Sequence, residues 1–257
     1  MSMPYFTSTP TGFVPSATAS SPWGPDMLHG RFLGGLAARA VEQEIDQAAW
    51  RVARVSVDLF RPAAMQEVSV QLEMIRDGRR ICVFDVSLFC AGHKVARVVA
   101  VALKKGHEPP GRIWAPSYRP WPSPESCSTQ DSDGNNPNWL INAVDGGFGT
   151  GNQTRMWTND TGLLVDDEPL SPLVRAALTG DIACPIANSS DQGLHYINGD
   201  YNLLLGRYPI GEWIGLETST HLASDGISVA GCILVDEVGP FATSSGVSLV
   251  TEALTIQ

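Results

Sequence analysis

HGRFLGGLAARAVEQEIDQ, His29 to Gln47, decides the reading of the first half, because it is the long segment there with helical periodicity. Leu33, Leu36, Ala37, Ala40, Val41 and Ile45 recur on one face, while Arg31, Arg39, Glu42, Gln43 and Asp46 fall elsewhere on the wheel. Gly34 and Gly35 each cost roughly 1 kcal/mol relative to alanine, so the helix backbone is expected to lie close to another element there. Before it, residues 1–28 are rich in Pro, Ser and Thr, with extended pieces at Tyr5–Thr7 and Gly12–Ser16. Trp23 to Asp26 make a turn from which Asp26 could cap the helix.

After the helix come four runs of strand character: Trp50–Phe60, Glu67–Ile75, Arg80–Cys90 and Lys94–Leu103. Arg61-Pro62, Asp77-Gly78 and Ala91-Gly92 separate them, the second being a strong hairpin signal. A helix followed by a four-strand antiparallel meander is an α+β arrangement in which the sheet buries one face on the helix.

Pattern is lost from Lys104 to Asn138, a stretch dense in Pro, Ser and Gly that reads as a linker. Its aromatics Trp114, Tyr118 and Trp121 suggest that part of it packs on a domain surface. A second helix is expected over Leu170–Ala187, with strands at Tyr196–Leu205, Trp213–Leu222, Ile227–Val235 and Phe241–Leu254. Arg61-Pro62 answers to Arg207-Tyr208-Pro209, Asp77-Gly78 to Asp225-Gly226 and Gly92 to Gly239, at offsets of about 146 to 148 residues. The chain is therefore divided into an N-terminal unit (1–104), a Pro/Ser-rich linker (105–138) and a C-terminal unit (139–257) that repeats the first.

Composition narrows the function classes. A net charge of -10 disfavours nucleic acid, which is bound mainly through clustered Lys and Arg. No apolar run approaches a membrane span, and MSMPYFTSTP has neither a basic nor an apolar leader region, so a cytoplasmic protein without membrane association is expected. Five cysteines without metal spacing read as reduced thiols, with no metal site. There is no GxSxG elbow for a serine hydrolase, and GGFGTGN lacks the Lys of a phosphate-binding loop.

The phrases RVARVSVDLFRP, RDGRRICVFDVSLFCAGHKVAR and NGDYNLLLGRYPIGEWIGLETSTHLASDGI resemble the double-hotdog acyl-CoA thioesterases of the thioesterase II type and their actinobacterial relatives. The resemblance runs from about Gly24 to Val250, the linker excepted, and implies an α+β double hotdog: two helix-plus-antiparallel-sheet repeats in one chain. It further implies hydrolysis of acyl-CoA by water, with no cofactor beyond the coenzyme A of the substrate, and a role in fatty acid metabolism. Association into a homo-oligomer is possible.

Asp181 stands out by spacing, beside Ile182 and three residues after Leu178 on the apolar side of the second helix, where an unpaired carboxylate is costly. The plainer alternative ends the helix at Thr179-Gly180 and leaves Asp181 in solvent. In the family, an Asp of this helix, a hydroxyl residue at the next strand and a Gln of the last strand hold the attacking water. Asp181 matches the Asp; Asn198 falls at the hydroxyl position; Gly246, or Val247 with a one-residue shift, falls at the Gln. Ser244 or Ser245 could substitute if the strand pairs differently.

Further candidates are Asp200 and Glu217 as strand carboxylates, His29 and His195 as bases, and Gly146, Gly147, Gly149 and Gly151 as oxyanion donors. Gly34 and Gly35 are placed beside the substrate, and Arg61, Arg79, Arg80 and Arg207 near its phosphates. Three functions are weighed: a thioesterase with one site per chain, an acyl-CoA or acyl-chain binding protein that has lost turnover with the Gln, and a hotdog hydratase. The hydratase would require a His and Asp pair on one loop or helix, which Asp181 lacks.

Overall fold

A computed structural model describes residues 4–130 and 136–254; the start Met1–Met3, the linker stretch 131–135 and the end 255–257 lie outside the described residues. The first half opens with β1 (Pro4–Ser8), β2 (Phe13–Pro15) and the hairpin of β3 (Ser20–Ser21) and β4 (Gly24–Leu28). Helix α1 (Arg31–Glu44) follows, then β5 (Trp50–Leu59), β6 (Val68–Asp77), β7 (Ile81–Cys90) and β8 (His93–Lys104). The second half has β9 (Ser128–Gln130), β10 (Trp139–Asp145), β11 (Arg155–Asp160), β12 (Leu163–Val165), helix α2 (Pro172–Ala187) and the short β13 (Ser189–Ser190). It ends with β14 (Gly193–Asn198), β15 (Asp200–Leu205), β16 (Trp213–Ser224), β17 (Ile227–Asp236) and β18 (Gly239–Leu254).

The main strands form one sheet in the order β12-β1-β2-β6-β7-β8-β5-β15-β18-β17-β16-β11-β10-β9. Both halves depart from the expected meander in the same way. β5 pairs with β8, not β6, and β15 pairs with β18, not β16. The two first strands then join each other antiparallel, Val57 opposite Tyr201, which fuses the halves edge to edge. Each half is a helix held in the hollow of its own antiparallel strands, the double hotdog expected from the sequence.

Local chemistry explains the elements. β7 buries Cys82, Phe84, Val86, Leu88 and Cys90 at every second position. β5 buries Val52, Val55 and Val57, and a register shift between Val52 and Arg54 absorbs the odd spacing between the first two. Ala91 and Gly92 (φ 49° and 76°) and Asp225 and Gly226 (φ 54° and 75°) have the left-handed backbone of tight hairpin turns. Asp26 does not cap α1: it belongs to β4, its carbonyl accepts from Met65, and Gly30 occupies the N-cap without a side-chain bond.

The helices also pack on one another, so both are buried more completely than a single apolar stripe requires. A Cβ on Gly34 would sit 1.8 Å from the Tyr201 hydroxyl, and one on Gly35 would sit 2.7 Å from Leu178 Cδ2. Tyr201 reaches in from β15 and donates to the carbonyl of Ala177 on α2 at 3.0 Å. The glycine pair thus leaves room on α1 for Tyr201 of β15 and Leu178 of α2. A buried ion pair adds a second tie between the halves: Arg31 of α1 donates to Asp160 of β11 at 2.6 Å, and Tyr5 donates to the same carboxylate at 2.7 Å. The linker docks through Trp121, edge-on to Trp157 at 4.8 Å with Arg155 over its ring, whereas Trp114 is exposed.

Candidate active site

Between the start of α1, the middle of α2 and the strap of β3 and β4 lies a cavity of about 740 Å³. Leu33, Leu59, Trp139, Phe148 and Ile182 give it apolar walls. Asp181 stands in the wall, midway along a helix that Ser171 caps by accepting from the Val174 N–H at 3.1 Å. The helix continues through Pro185 to Ala187, so Thr179-Gly180 does not end it, and Asp181 is 2% exposed.

Asn198 closes β14 just before Gly199, where the chain steps across to β15 and Gly199 bonds both Val247 and Leu59 through its backbone. From there its Nδ2 donates to Asp181 Oδ1 at 2.8 Å. His29, immediately before α1, brings Nδ1 to 3.7 Å from Asp181 Oδ2. The two halves therefore contribute one face each.

Burial raises the Asp181 carboxyl to about 6, against the opposing effects of the Asn198 hydrogen bond and the Arg31 charge. Burial also lowers the His29 imidazole to about 3, assisted by Arg31. The imidazole is neutral wherever Asp181 is ionised, so their contact is not an ion pair. Gly30 lies against this pair, 3.7 Å from Asp181 Oδ1 to the position its Cβ would take. Its N–H belongs to the first turn of α1, where helices leave donors without intrahelical partners.

The other expected site residues are scattered. Arg61 lines the cavity. Arg80 instead clusters with Arg76, Arg79 and Lys104 at the opposite end of the sheet, since Lys104 pairs with the first residue of β5 and Arg61 follows its last. Gly34 and Gly35 face Tyr201 and Leu178, not the cavity, because that is where the helices close up. Asp200 is turned to the backbone, accepting from the Val247 N–H at 2.6 Å. Glu217 lies by Arg155 and Arg119, and Arg207 pairs with Asp236, so neither meets the cavity. His195 and Gly146, Gly147, Gly149 and Gly151 are outside the lining too, though Phe148 between the glycines is within it.

Gly246 pairs opposite Ala230, and its missing side chain leaves no gap: a Cβ there would lie 2.3 Å from the Asp200 carbonyl oxygen. Ser244 donates to the Gly180 carbonyl at 2.7 Å and Ser245 is exposed, so neither faces Asp181. Restoring an amide by Gly246→Gln is expected to lower stability by about 2 kcal/mol through backbone overpacking, without raising turnover. Thermal melts and initial rates check both.

A model of the acyl-CoA thioesterase N-terminal domain matches residues 19–103, and one of the C-terminal domain matches residues 115–250. The chain belongs to the acyl-CoA thioesterase family. It is an acyl-CoA thioester hydrolase by that membership. Among solved structures, a putative thioesterase II of Thermobifida fusca is similar in fold at 18% identity, TM-score 0.75, over 92% of this chain and 90% of its own. The tesB protein of Mycobacterium avium subs paratuberculosis is similar at 15% identity, TM-score 0.72, over 93% and 92%. A hot dog protein of unknown function from Alicyclobacillus acidocaldarius matches at 13% identity, TM-score 0.75, over 96% and 95%. No curated protein matches the thioesterase.

The sequence did not point to Trp139, Phe148 or Gly30 as site residues, nor to the buried Arg31 beside them. An arginine at the start of a helix whose first two turns are otherwise apolar was the available signal. Among the described residues, no three His, Cys, Asp or Glu side chains converge as metal ligands would, and no helix is long and apolar enough to cross a membrane.

Proposed function

We propose that the thioesterase cleaves acyl-CoA to a free acid and coenzyme A with a water molecule that Asp181 orients and deprotonates while Asn198 holds the carboxylate in place. The observation that carries this reading is the 2.8 Å hydrogen bond from Asn198 to Asp181 in the wall of an apolar cavity. That bond occupies Oδ1 and leaves Oδ2 to accept from water. A carboxyl near 6 is ionised at neutral pH yet basic enough to take a proton as the oxygen attacks. The N–H of Gly30, at the N-cap of α1 in the cavity lining, is the donor we assign to the thioester oxygen as it gains charge. The apolar walls suit an acyl chain, and the cavity has the size of an ordinary small-molecule site.

Arg61 at the cavity rim is the cation we assign to a phosphate of coenzyme A. Gly246 by itself would suit binding without turnover, but Asp181 and Asn198 are paired without any contribution from that strand position. Free thiols at all five cysteines suit a reducing cytoplasm, where fatty acyl metabolism would supply the substrate. A panel of acyl-CoA thioesters of increasing chain length, followed by thiol release, tests the proposal. Release is expected with at least one chain length; tight binding of all of them without release would overturn it.

A further inference from the structure

We propose that His29 is a second catalytic residue of the hydrolysis, accepting one O–H of the attacking water while Asp181 accepts the other. The inference rests on the reading of Asp181 given above. Nδ1 of His29 and Oδ2 of Asp181 are 3.7 Å apart, and both residues line the cavity. One water can bridge two acceptors at that separation with hydrogen bonds of about 2.8 Å. With both hydrogens engaged, its lone pairs point away from the pair and into the cavity, where a thioester carbon would lie.

The surroundings of the ring favour the acceptor role. The Arg31 N–H approaches Nδ1 at 3.4 Å, which marks that nitrogen as the unprotonated one and is long enough to leave it open to a stronger donor. Phe32 meets the imidazole edge-on at 6.1 Å between ring centres and fixes its plane. Burial and Arg31 keep the ring neutral, so the lone pair on Nδ1 is available whenever Asp181 is ionised. The Asn198 amide nitrogen, which donates to Oδ1, is a donor only and cannot take this part.

In the step itself the water oxygen forms the bond to the acyl carbon, and the proton held by Asp181 passes to its carboxylate. The proton held by His29 stays on the new carboxyl group. The carbon–sulfur bond then breaks, and Asp181 returns its proton to the departing thiolate. His29 orients and is not itself protonated.

The test compares His29→Phe and His29→Asn with the wild type by kcat, KM and thermal melting on the best acyl-CoA of the panel. His29→Phe keeps an aromatic ring but has no acceptor, and is expected to lower kcat about 100-fold with KM within threefold and no loss of Tm. His29→Asn returns an oxygen acceptor near the position of Nδ1 and is expected to recover at least tenfold over His29→Phe. A His29→Phe enzyme within threefold of wild-type kcat, or an Asn variant no faster than the Phe variant, would overturn the role of His29 and leave Asp181 standing. A wild type that hydrolyses nothing would overturn both.

Discussion

Asp181→Asn is expected to lower kcat by about 10³-fold while leaving acyl-CoA binding within a few-fold, because a general base in this setting contributes about 10² to 10⁴. The same substitution is expected to make the protein more stable at pH 8. The folded carboxyl titrates near 6 and its ordinary value is 3.8, so between those values the folded state holds more protons than the unfolded one. Stability accordingly falls as pH rises from about 4 to 6, by something of order 3 kcal/mol, and the deficit persists at higher pH. The amide of the Asp181→Asn variant carries no charge to bury and escapes that loss. Melts of the two proteins should converge near pH 4 and separate by several degrees at pH 8, with the variant higher. In parallel, wild-type kcat/KM should rise with pH around an apparent value near 6. A variant equally active, or less stable at pH 8 than at pH 4 by the same margin as wild type, would show that Asp181 is not the titrating base.

Gly34→Ala is expected to be strongly destabilising. Its Cβ would lie 1.8 Å from the Tyr201 hydroxyl, whose ring is fully buried and whose hydrogen bond to Ala177 ties β15 to α2. Overpacking together with the loss of that bond costs about 3 kcal/mol, a fall in Tm of roughly 6 to 12 °C. Adding Tyr201→Phe removes the clashing oxygen and should return part of the loss, so the double variant melts above Gly34→Ala alone. Gly34→Ala melting like wild type would mean that α1, α2 and β15 do not meet as described.

Much of the fold was legible because alternation and turn chemistry are local. Val52, Val55 and Val57, the Asp77-Gly78 and Asp225-Gly226 turns and the α1 stripe are read from neighbours a few residues apart. Strand order was not, since alternation says which face a residue takes and not which strand lies beside it; hence β5 pairing with β8 and β15 with β18. The pair of glycines announced a close approach, but that Tyr201 makes it depends on the junction of β5 and β15.

The site divides in the same way. Asp181 could be picked out from its spacing to Leu178, whereas its neighbour His29 lies 152 residues earlier and meets it only through the packing of α1 on α2. The sequence therefore suggested no His and Asp pair at this position, although the fold assembles one from the two halves. Arg80 and Asp200 look like ligand residues in a linear reading, and only the register places the first at the far end of the sheet and the second against Val247.

A single turnover in ¹⁸O-water, with enzyme in excess over acyl-CoA, tests the central claim most directly, because it follows the oxygen that Asp181 is held to activate. Direct attack by water predicts one ¹⁸O in the released acid and none in the peptide containing Asp181. Label recovered in Asp181, as a covalent acyl intermediate on the carboxylate would leave it, or the absence of any free acid, would contradict the account.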